Sequence, residues 1–147
     1  MKQEVYILIA DRNPHVREFI KREMMADGYR VRLAENGRQL LKWVYHNERL
    51  DLLIMDPDLP DIDVSSLLTK LQNRIPFLPV VVHTFLSDYS EHSDVLQPFP
   101  FVEKKGNSVE RLKKLVFDIL HKSDLKHDQT ARSNGRHPVE KGRYGSR

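Results

Sequence analysis

The sequence contains no cysteine, so disulfide bonds and thiolate metal sites are excluded. This suits a reducing compartment and predicts a cytoplasmic protein. Long apolar runs are lacking as well. The run Val5–Ala10 near the N-terminus is too short for the core of a signal peptide or for a membrane span, and no membrane contact is expected. A chain of 147 residues has the length of one domain with its own hydrophobic core.

The charge of the chain is unevenly distributed. Residues 1–122 carry equal numbers of basic and acidic side chains, so the net charge of +3 belongs to residues 123–147. That C-terminal segment has few aliphatic residues, and we expect a folded domain over 1–122 followed by a disordered, basic, polar tail over 123–147. Because the excess charge lies in the tail, no nucleic-acid-binding surface is expected on the folded part.

Five short apolar runs alternate with helical patterns. Three of the runs are almost purely aliphatic, which is typical of strands buried on both faces of a parallel sheet. The runs are Val5–Ala10, Tyr29–Ala34, Leu52–Met55, Leu78–His83 and Phe99–Val102. The alternation predicts a (βα)5 fold of class α/β, a doubly wound five-stranded parallel sheet with helices on both faces. The fourth helix, at about 87–96, has few good helix formers and is expected to be the loosest element.

Polar side chains stand at the ends of four of these runs. Asp11 follows the first, Asp56 the third, Thr84 the fourth and Lys104 the fifth. Because the carboxyl ends of parallel strands meet at one edge of the sheet, we expect these side chains to converge there. A carboxylate nucleophile, a hydroxyl and an ammonium beside a second carboxylate form a site suited to receiving a phosphoryl group.

Four segments of the sequence carry a family resemblance. They occur in order along the chain and fall at the ends of predicted strands. The segments are ILIADRNPHVREFI, LLIMDPDLPDID, HT at 83–84 and FVEK at 101–104. Over roughly residues 3–122 the chain resembles the receiver domains of response regulators in bacterial two-component systems. The resemblance implies a flavodoxin-like strand order 2-1-3-4-5, with Asp56 as the phosphoacceptor and Thr84 and Lys104 as its catalytic neighbours.

The resemblance also implies how such a domain signals. Phosphorylation of Asp56 would draw Thr84 inward and turn Phe101, altering the face formed by helix 4, strand 5 and helix 5. The implied partners are a sensor histidine kinase or phosphotransfer protein as donor and a downstream protein as target, and the same face could form a homodimer. We expect a stand-alone receiver in a phosphorelay, a phosphoprotein rather than an enzyme.

One position departs from the family pattern. Where the family has two adjacent acids after the first strand, this sequence has Asp11-Arg12. By resemblance Mg²⁺ would be held by Asp11, Asp56 and the backbone carbonyl of Asp58, so Arg12 predicts weak or no Mg²⁺ binding. Two interpretations stay open: Arg12 is a solvated loop residue, or its guanidinium stands where the metal would and pairs with Asp56 or Asp58.

Smaller departures flank the site. Phe85 follows Thr84 where the family has a small residue, which predicts narrower access to Asp56. Lys105 replaces the proline that usually follows Lys104, so a cis peptide is not expected there.

Two other functions remain as alternatives. The first is a phosphate-independent pseudo-receiver that acts as an interaction module, which Arg12 favours. The second is a phosphatase of the haloacid dehalogenase type, because Asp56-Pro57-Asp58 resembles its DxD motif at a strand end. That motif usually follows the first strand of a longer chain, and this assignment leaves Asp11 unexplained.

Overall fold

The computed structural model describes residues 4–46 and 49–132, with side chains as far as Lys122. Within these ranges five parallel strands form one sheet in the order β2-β1-β3-β4-β5. The strands are β1 (Tyr6–Ala10), β2 (Arg30–Ala34), β3 (Leu52–Met55), β4 (Val80–Thr84) and β5 (Phe101–Glu103). The predicted fold class and strand order are confirmed.

Helices connect the strands and cover both faces of the sheet. In the described ranges they are α1 (Pro14–Ala26), α2 (Gly37–Val44), α3 (Val64–Gln72), α4 (Leu86–Glu91), α5 (Ser93–Leu96) and α6 (Ser108–Arg132). The side chains of Asn13, Asn36 and Asp63 accept hydrogen bonds from the first turns of α1, α2 and α3. These N-caps fix where the three helices begin. Within the described helices, none is both long and apolar enough to cross a lipid bilayer.

Two hydrophobic cores lie on opposite faces of the sheet, because successive strand residues point to opposite sides. Along β1, Ile7 and Ile9 pack with α1 and α6, whereas Leu8 and Ala10 pack with α2, α3 and α5. All residues of β3 and β4 are buried, as expected for the central strands of a covered parallel sheet. The aliphatic runs of the sequence therefore form the interior layer that positions the strand ends.

Two strands begin two residues later than the sequence pattern predicts. The pattern predicts strands from Leu78 and from Phe99. The structure has β4 begin at Val80 and β5 at Phe101, each directly after a proline. Pro79 and Pro100 have no N–H to donate, although their carbonyls accept from Leu53 and Val82 on the neighbouring strands at 2.9 and 2.8 Å.

The fourth helical segment is divided in two. Helix α4 ends at Glu91 and α5 begins at Ser93, with His92 between them. No side chain caps either helix, α4 buries no residue completely, and α5 buries only Leu96. The poor helix propensity of this segment therefore produces two short helices rather than the one weak helix that was expected.

The last helix is longer than predicted. Helix α6 continues to Arg132, so 123–132 is helical where the composition predicted disorder. Because this segment lacks glycine and proline, it can extend an existing helix without a new nucleation step. The remaining part of the predicted tail, 133–147, lies outside the described residues.

Gly37 allows the loop after β3 to approach the start of α2. A Cβ at this position would lie 2.4 Å from Ile62 Cγ2 and 2.9 Å from Asp61 Oδ1. Gly37 N also donates to Asp61 Oδ1 at 2.6 Å. We expect Gly37→Ala to lower the free energy of unfolding by about 1–3 kcal/mol through this overlap, measured by urea denaturation.

The matched control is Gly106→Ala, because a Cβ at Gly106 would meet no atom within 4 Å. Gly106 lies in the turn before α6, and replacing glycine by alanine where the backbone conformation permits it normally stabilises a protein by about 0.4–1 kcal/mol. A Gly37→Ala protein as stable as the Gly106→Ala protein would show that the loop yields freely.

Candidate functional site

The strand ends bring four sequence-predicted residues to one edge of the sheet. Asp11 follows β1, Asp56 follows β3, Thr84 ends β4 and Lys104 follows β5. The main-chain N–H groups of Asp11, Asp56 and Lys104 each donate to a carbonyl of the adjacent strand, at 2.8–3.1 Å. The sheet ladder therefore extends one residue into the site and fixes the backbone from which these side chains project.

Lys104 joins the two carboxylates. Its Nζ lies 2.6 Å from Asp56 Oδ2 and 2.9 Å from Asp11 Oδ2. Asp11 and Asp56 are only 2% and 4% exposed, and the Lys104 side chain is also largely buried. Charges this far from water are stable only when paired, so this bridge is the principal electrostatic feature of the site.

The second oxygen of each carboxylate is held by a backbone N–H. Asp56 Oδ1 accepts from Asp58 N at 2.9 Å, and Asp11 Oδ1 accepts from Asn13 N at 2.9 Å. All four carboxylate oxygens therefore already have one hydrogen-bond donor each. The loops after β1 and β3 orient the carboxylates and leave each oxygen one further lone pair.

Burial and pairing act on the pKa values of this group. Burial raises the pKa of Asp11, although hydrogen bonds from Lys104 and Asn13 oppose that change. Burial disfavours the charged form of Lys104, but its hydrogen bonds to Asp56 and Asp11 outweigh this and raise the pKa of Lys104. Lys104 therefore stays protonated at neutral pH, and Asp11 takes up a proton more readily than an ordinary aspartate.

Thr84 contributes a hydroxyl with no partner among the described residues. Its side chain is fully buried, and Oγ1 makes no hydrogen bond. Such a group costs about 1–3 kcal/mol when it is left unsatisfied. A buried, unpaired hydroxyl at the edge of the sheet is therefore available to an oxygen that arrives there.

Phe101, expected as the switch aromatic, lies at the start of β5. Its partly buried ring stacks on Tyr89 of α4, with ring centroids 4.1 Å apart and planes inclined by 19°. This contact joins the edge strand to the short helices that follow Thr84. A change in the position of Phe101 would therefore alter the surface formed by α4, α5 and β5.

Arg12 turns toward the loop after β3. Its Nε donates to the backbone carbonyl of Asp58 at 3.1 Å, and its Nη2 lies 3.3 Å from Asp58 Oδ1. The Arg12 side chain is half exposed. The guanidinium thus contacts Asp58, one of the two partners considered from the sequence, and engages the carbonyl expected to ligate Mg²⁺.

This arrangement does not fit Mg²⁺ as it stands. A hard cation of this kind needs several oxygen ligands in near-octahedral geometry. Each of the three expected ligands already has a cationic donor, because Lys104 bridges the Asp11 and Asp56 carboxylates and Arg12 donates to the Asp58 carbonyl. In residues 4–46 and 49–132, no group of three or more histidine, aspartate or glutamate side chains is arranged to hold a metal.

Two aromatic side chains, those of Phe85 and His83, lie near the Lys104 bridge. The ring of Phe85 lies 5.2 Å from Lys104 Nζ and is about half exposed. Narrower access to Asp56 because of this ring stays a prediction. His83 is buried behind the site, and its Nε2 lies 3.1 Å from Ser108 Oγ.

The pKa of His83 is lowered to about 4, first by burial and then by the positive charge of Lys104. The neutral ring is therefore the native form over most of the pH range. A signal for its burial was present in the sequence, since His83 follows Val81 at strand period within a run whose two faces are both apolar.

Comparison with known proteins places this geometry in context. The sequence model of the response regulator receiver domain matches residues 7–117. The DNA-binding transcriptional regulator NtrC of Bradyrhizobium sp. (strain RP501 Parasponia) is 37% identical over 76 residues, which make up 52% of this chain and 16% of that protein. The response regulator MprA of Mycobacterium ulcerans (strain Agy99) is 29% identical over 136 residues, 88% of this chain and 56% of that protein. The chain thus spans little more than half of the length of MprA and a much smaller part of NtrC.

Solved structures agree with the fold. The response regulator TrrA of Thermotoga maritima, in complex with Mg²⁺-BeF, is 29% identical to this chain, with a TM-score of 0.69. The match covers 79% of this chain and 99% of the TrrA chain. The receiver domain of the hybrid histidine kinase CckA is 28% identical to this chain, with a TM-score of 0.63. The match covers 78% of this chain and 98% of the CckA domain. The chemotaxis response regulator CheY4 of Vibrio cholerae is 20% identical to this chain, with a TM-score of 0.65, and the match covers 77% of this chain and 97% of CheY4. This likeness supports the fold alone.

Proposed function

Since this chain belongs to the family of response regulator receiver domains, we propose that its Asp56 carboxylate accepts a phosphoryl group in two-component signalling. Receiver domains are signalling modules that interact with histidine kinases and phosphotransfer proteins. The proposed donor is therefore a phosphohistidine of such a protein, and the proposed setting is the cytoplasm.

The observation that carries the proposal is the buried Asp56 carboxylate with Lys104 Nζ at 2.6 Å. In the transfer, an Asp56 oxygen would form a bond to phosphorus while the P–N bond to the donor breaks, and the imidazole nitrogen keeps the electron pair. Such a reaction needs mainly positioning and charge stabilisation. Lys104 would supply positive charge to the phosphoryl oxygens, and the unpaired Thr84 hydroxyl would donate a hydrogen bond to one of them.

The same hydroxyl suggests how the signal leaves the site. Movement of Thr84 toward a phosphoryl group would shift β4 and the helices α4 and α5 that follow it. Phe101 stacks on α4 through Tyr89, so its position would change with them. We propose the face made by α4, α5, β5 and α6 as the contact surface for a downstream protein or a second copy of the chain.

The nature of the whole protein is a further part of the proposal. NtrC is named as a DNA-binding regulator, but this chain spans only 16% of it. Residues 1–122 carry no excess of positive charge, which supports a protein partner rather than nucleic acid. We propose that the receiver over 1–122 acts through a protein partner.

A second candidate function is supported by Arg12. Receiver domains typically bind Mg²⁺ at the phosphorylation site, and we propose that Arg12 makes this binding weak or absent here. A domain with a permanent guanidinium at Asp58 could rest in its signalling conformation and bind its partner without phosphate. The phosphatase alternative loses its main support, because Asp56-Pro57-Asp58 lies within the receiver match over 7–117.

The test is phosphorylation of the full chain by acetyl phosphate, followed as a mobility shift on a phosphate-affinity gel. We expect a shifted band for the wild type and its complete loss in Asp56→Asn, because the substitution removes the proposed acceptor oxygen beside Lys104. Asp118→Asn is the control, since Asp118 is an exposed carboxylate on α6 that forms a surface ion pair with Lys114 at 3.7 Å.

The outcomes separate the two functions. A shift that persists in Asp56→Asn would refute Asp56 as the acceptor. An unshifted wild type that still binds its partner as Asp56→Asn does would favour the phosphate-independent module.

A further inference from the structure

We propose that Arg12 replaces the divalent metal ion, so that phosphoryl transfer to Asp56 proceeds without Mg²⁺. The inference rests on the proposed function of Asp56 as acceptor and adds a role for a residue that departs from the family pattern. It assigns Arg12 as a catalytic cation that acts together with Lys104.

The position of the guanidinium supports this role. Arg12 contacts both the backbone carbonyl and the carboxylate of Asp58, the residue whose N–H holds Asp56 Oδ1. It therefore contacts the loop that orients Asp56 Oδ1, whereas Lys104 holds Asp56 Oδ2. Two of its nitrogens are engaged, and three of its five N–H groups remain available to an arriving anion.

The charges at the site leave little room for a metal ion. Mg²⁺ between Asp11 and Asp56 would lie beside the Lys104 ammonium. The Nζ atom of Lys104 is 2.9 Å from the Asp11 carboxylate and 2.6 Å from the Asp56 carboxylate. Mg²⁺ would also have to displace Arg12 from the Asp58 carbonyl and tolerate a second cation nearby. Repulsion between Arg12 and an incoming Mg²⁺ opposes metal entry, whereas the guanidinium already provides positive charge at the Asp58 carbonyl, one of the expected metal ligands.

The chemistry of the transfer suits two fixed cations. With acetyl phosphate as donor, an Asp56 oxygen forms the new P–O bond while the P–O bond to the acetyl group breaks, and acetate leaves with the electron pair. The transfer requires no proton and no redox partner. The charge that must be stabilised lies on the three phosphoryl oxygens, and a guanidinium binds two of these in its planar fork.

Arg12 has the freedom to make this contact. Its side chain is half exposed, and its partner Asp58 is 57% exposed, so their ion pair is screened by water. Surface ion pairs of this kind stabilise a protein by about 0–1 kcal/mol. A phosphoryl group carrying about two negative charges on Asp56 would compete well for the guanidinium.

The experiment compares phosphorylation of the full chain by acetyl phosphate in EDTA and in millimolar Mg²⁺. For the wild type we expect the two rates to agree within about threefold, because Mg²⁺ plays no part. For Arg12→Ala we expect a loss of about 100-fold in EDTA, the usual effect of removing one charge-stabilising donor.

Arg12→Asp restores an acidic pair after β1 and provides the converse test. We expect its phosphorylation to require Mg²⁺, with a rate at least about tenfold higher in Mg²⁺ than in EDTA. Calorimetric titration supplies a readout independent of the reaction: saturable Mg²⁺ binding in Arg12→Asp and none in the wild type. Arg22→Asp, the same charge change on exposed α1 beside Phe19, should behave as the wild type in both assays.

The results distinguish this inference from the proposed function. Phosphorylation of the wild type on Asp56 only when Mg²⁺ is present would overturn the role of Arg12 and leave Asp56 as the acceptor. Equal rates in EDTA for the wild type and Arg12→Ala, each checked for folding by circular dichroism, would also overturn it. The absence of phosphorylation in every variant and condition would refute the proposed acceptor function and this inference with it.

Discussion

Replacing Lys104 by methionine is expected to lower the free energy of unfolding by about 3 kcal/mol at neutral pH. The substitution keeps the length of the side chain but leaves the carboxylates of Asp11 and Asp56 buried without their shared cation. The value lies at the lower end of the range for breaking a buried pair because Asp11, whose pKa is already raised, can take up a proton. Urea denaturation at pH 7 measures the loss.

The same variant should lose about 100-fold in the rate of Asp56 phosphorylation, because Lys104 is the nearest positive charge to the proposed acceptor. Lys105→Met is the matched control. Lys105 is exposed and makes only a surface ion pair with Glu103 at 3.6 Å, so its loss should change stability by no more than about 0.5 kcal/mol. Equal effects of the two substitutions would show that the buried bridge contributes no more than a surface charge.

The sequence predicted the convergence of the site residues because two rules of parallel sheets were sufficient. Buried strands appear as aliphatic runs, and their carboxyl ends share one edge. The four site residues follow or end such runs, namely Asp11, Asp56, Thr84 and Lys104. Their predicted positions depend on where the strands end, so an error of two residues in where a strand begins does not change them. The late starts of β4 and β5 after Pro79 and Pro100 lie at the other ends of those strands.

The contacts of Arg12 could not be predicted in the same way. The sequence identified the position as a departure, but an exposed arginine has many rotamers of similar energy, and its choice depends on partners brought together by the fold. Asp58 is one such partner, 46 residues away. The same reason applies to Asp61, whose carboxylate accepts from the N–H groups of Gly37 and Arg38 at the start of α2.

The division of α4 from α5 and the length of α6 show the limits of composition. Low helix propensity predicted a loose element at 87–96, but which residue interrupts it depends on tertiary contacts such as the burial of Leu96. For 123–132 the lack of aliphatic side chains argued against an independent fold, yet a helix already stabilised over its first half can continue into such a segment.

His83 links the buried interior behind the site to the pH dependence of stability. The pKa of the native residue is lowered to about 4 by burial and by Lys104, with Arg111 acting in the same direction and Asp56 opposing. An unfolded histidine has a pKa of about 6.5. Between these values the unfolded chain binds a proton that the native protein does not, so stability falls as the pH decreases from about 6.5 to about 4.

We therefore expect the wild type to lose about 3 kcal/mol of stability across this interval on account of His83, with a slope near 1.4 kcal/mol per pH unit. Urea denaturation at a series of pH values measures the slope, and His83→Gln should reduce it by that amount. His15→Gln, which removes an exposed histidine, should leave it unchanged.

Asp11 acts in the opposite direction, because a raised native pKa makes the folded state bind protons more strongly than the unfolded chain. This contribution is common to the wild type and His83→Gln, so the difference between their two slopes isolates the histidine. Identical slopes in the two proteins would mean that the native ring is protonated as readily as in the unfolded chain, and that burial against Ser108 and Lys104 does not keep it neutral.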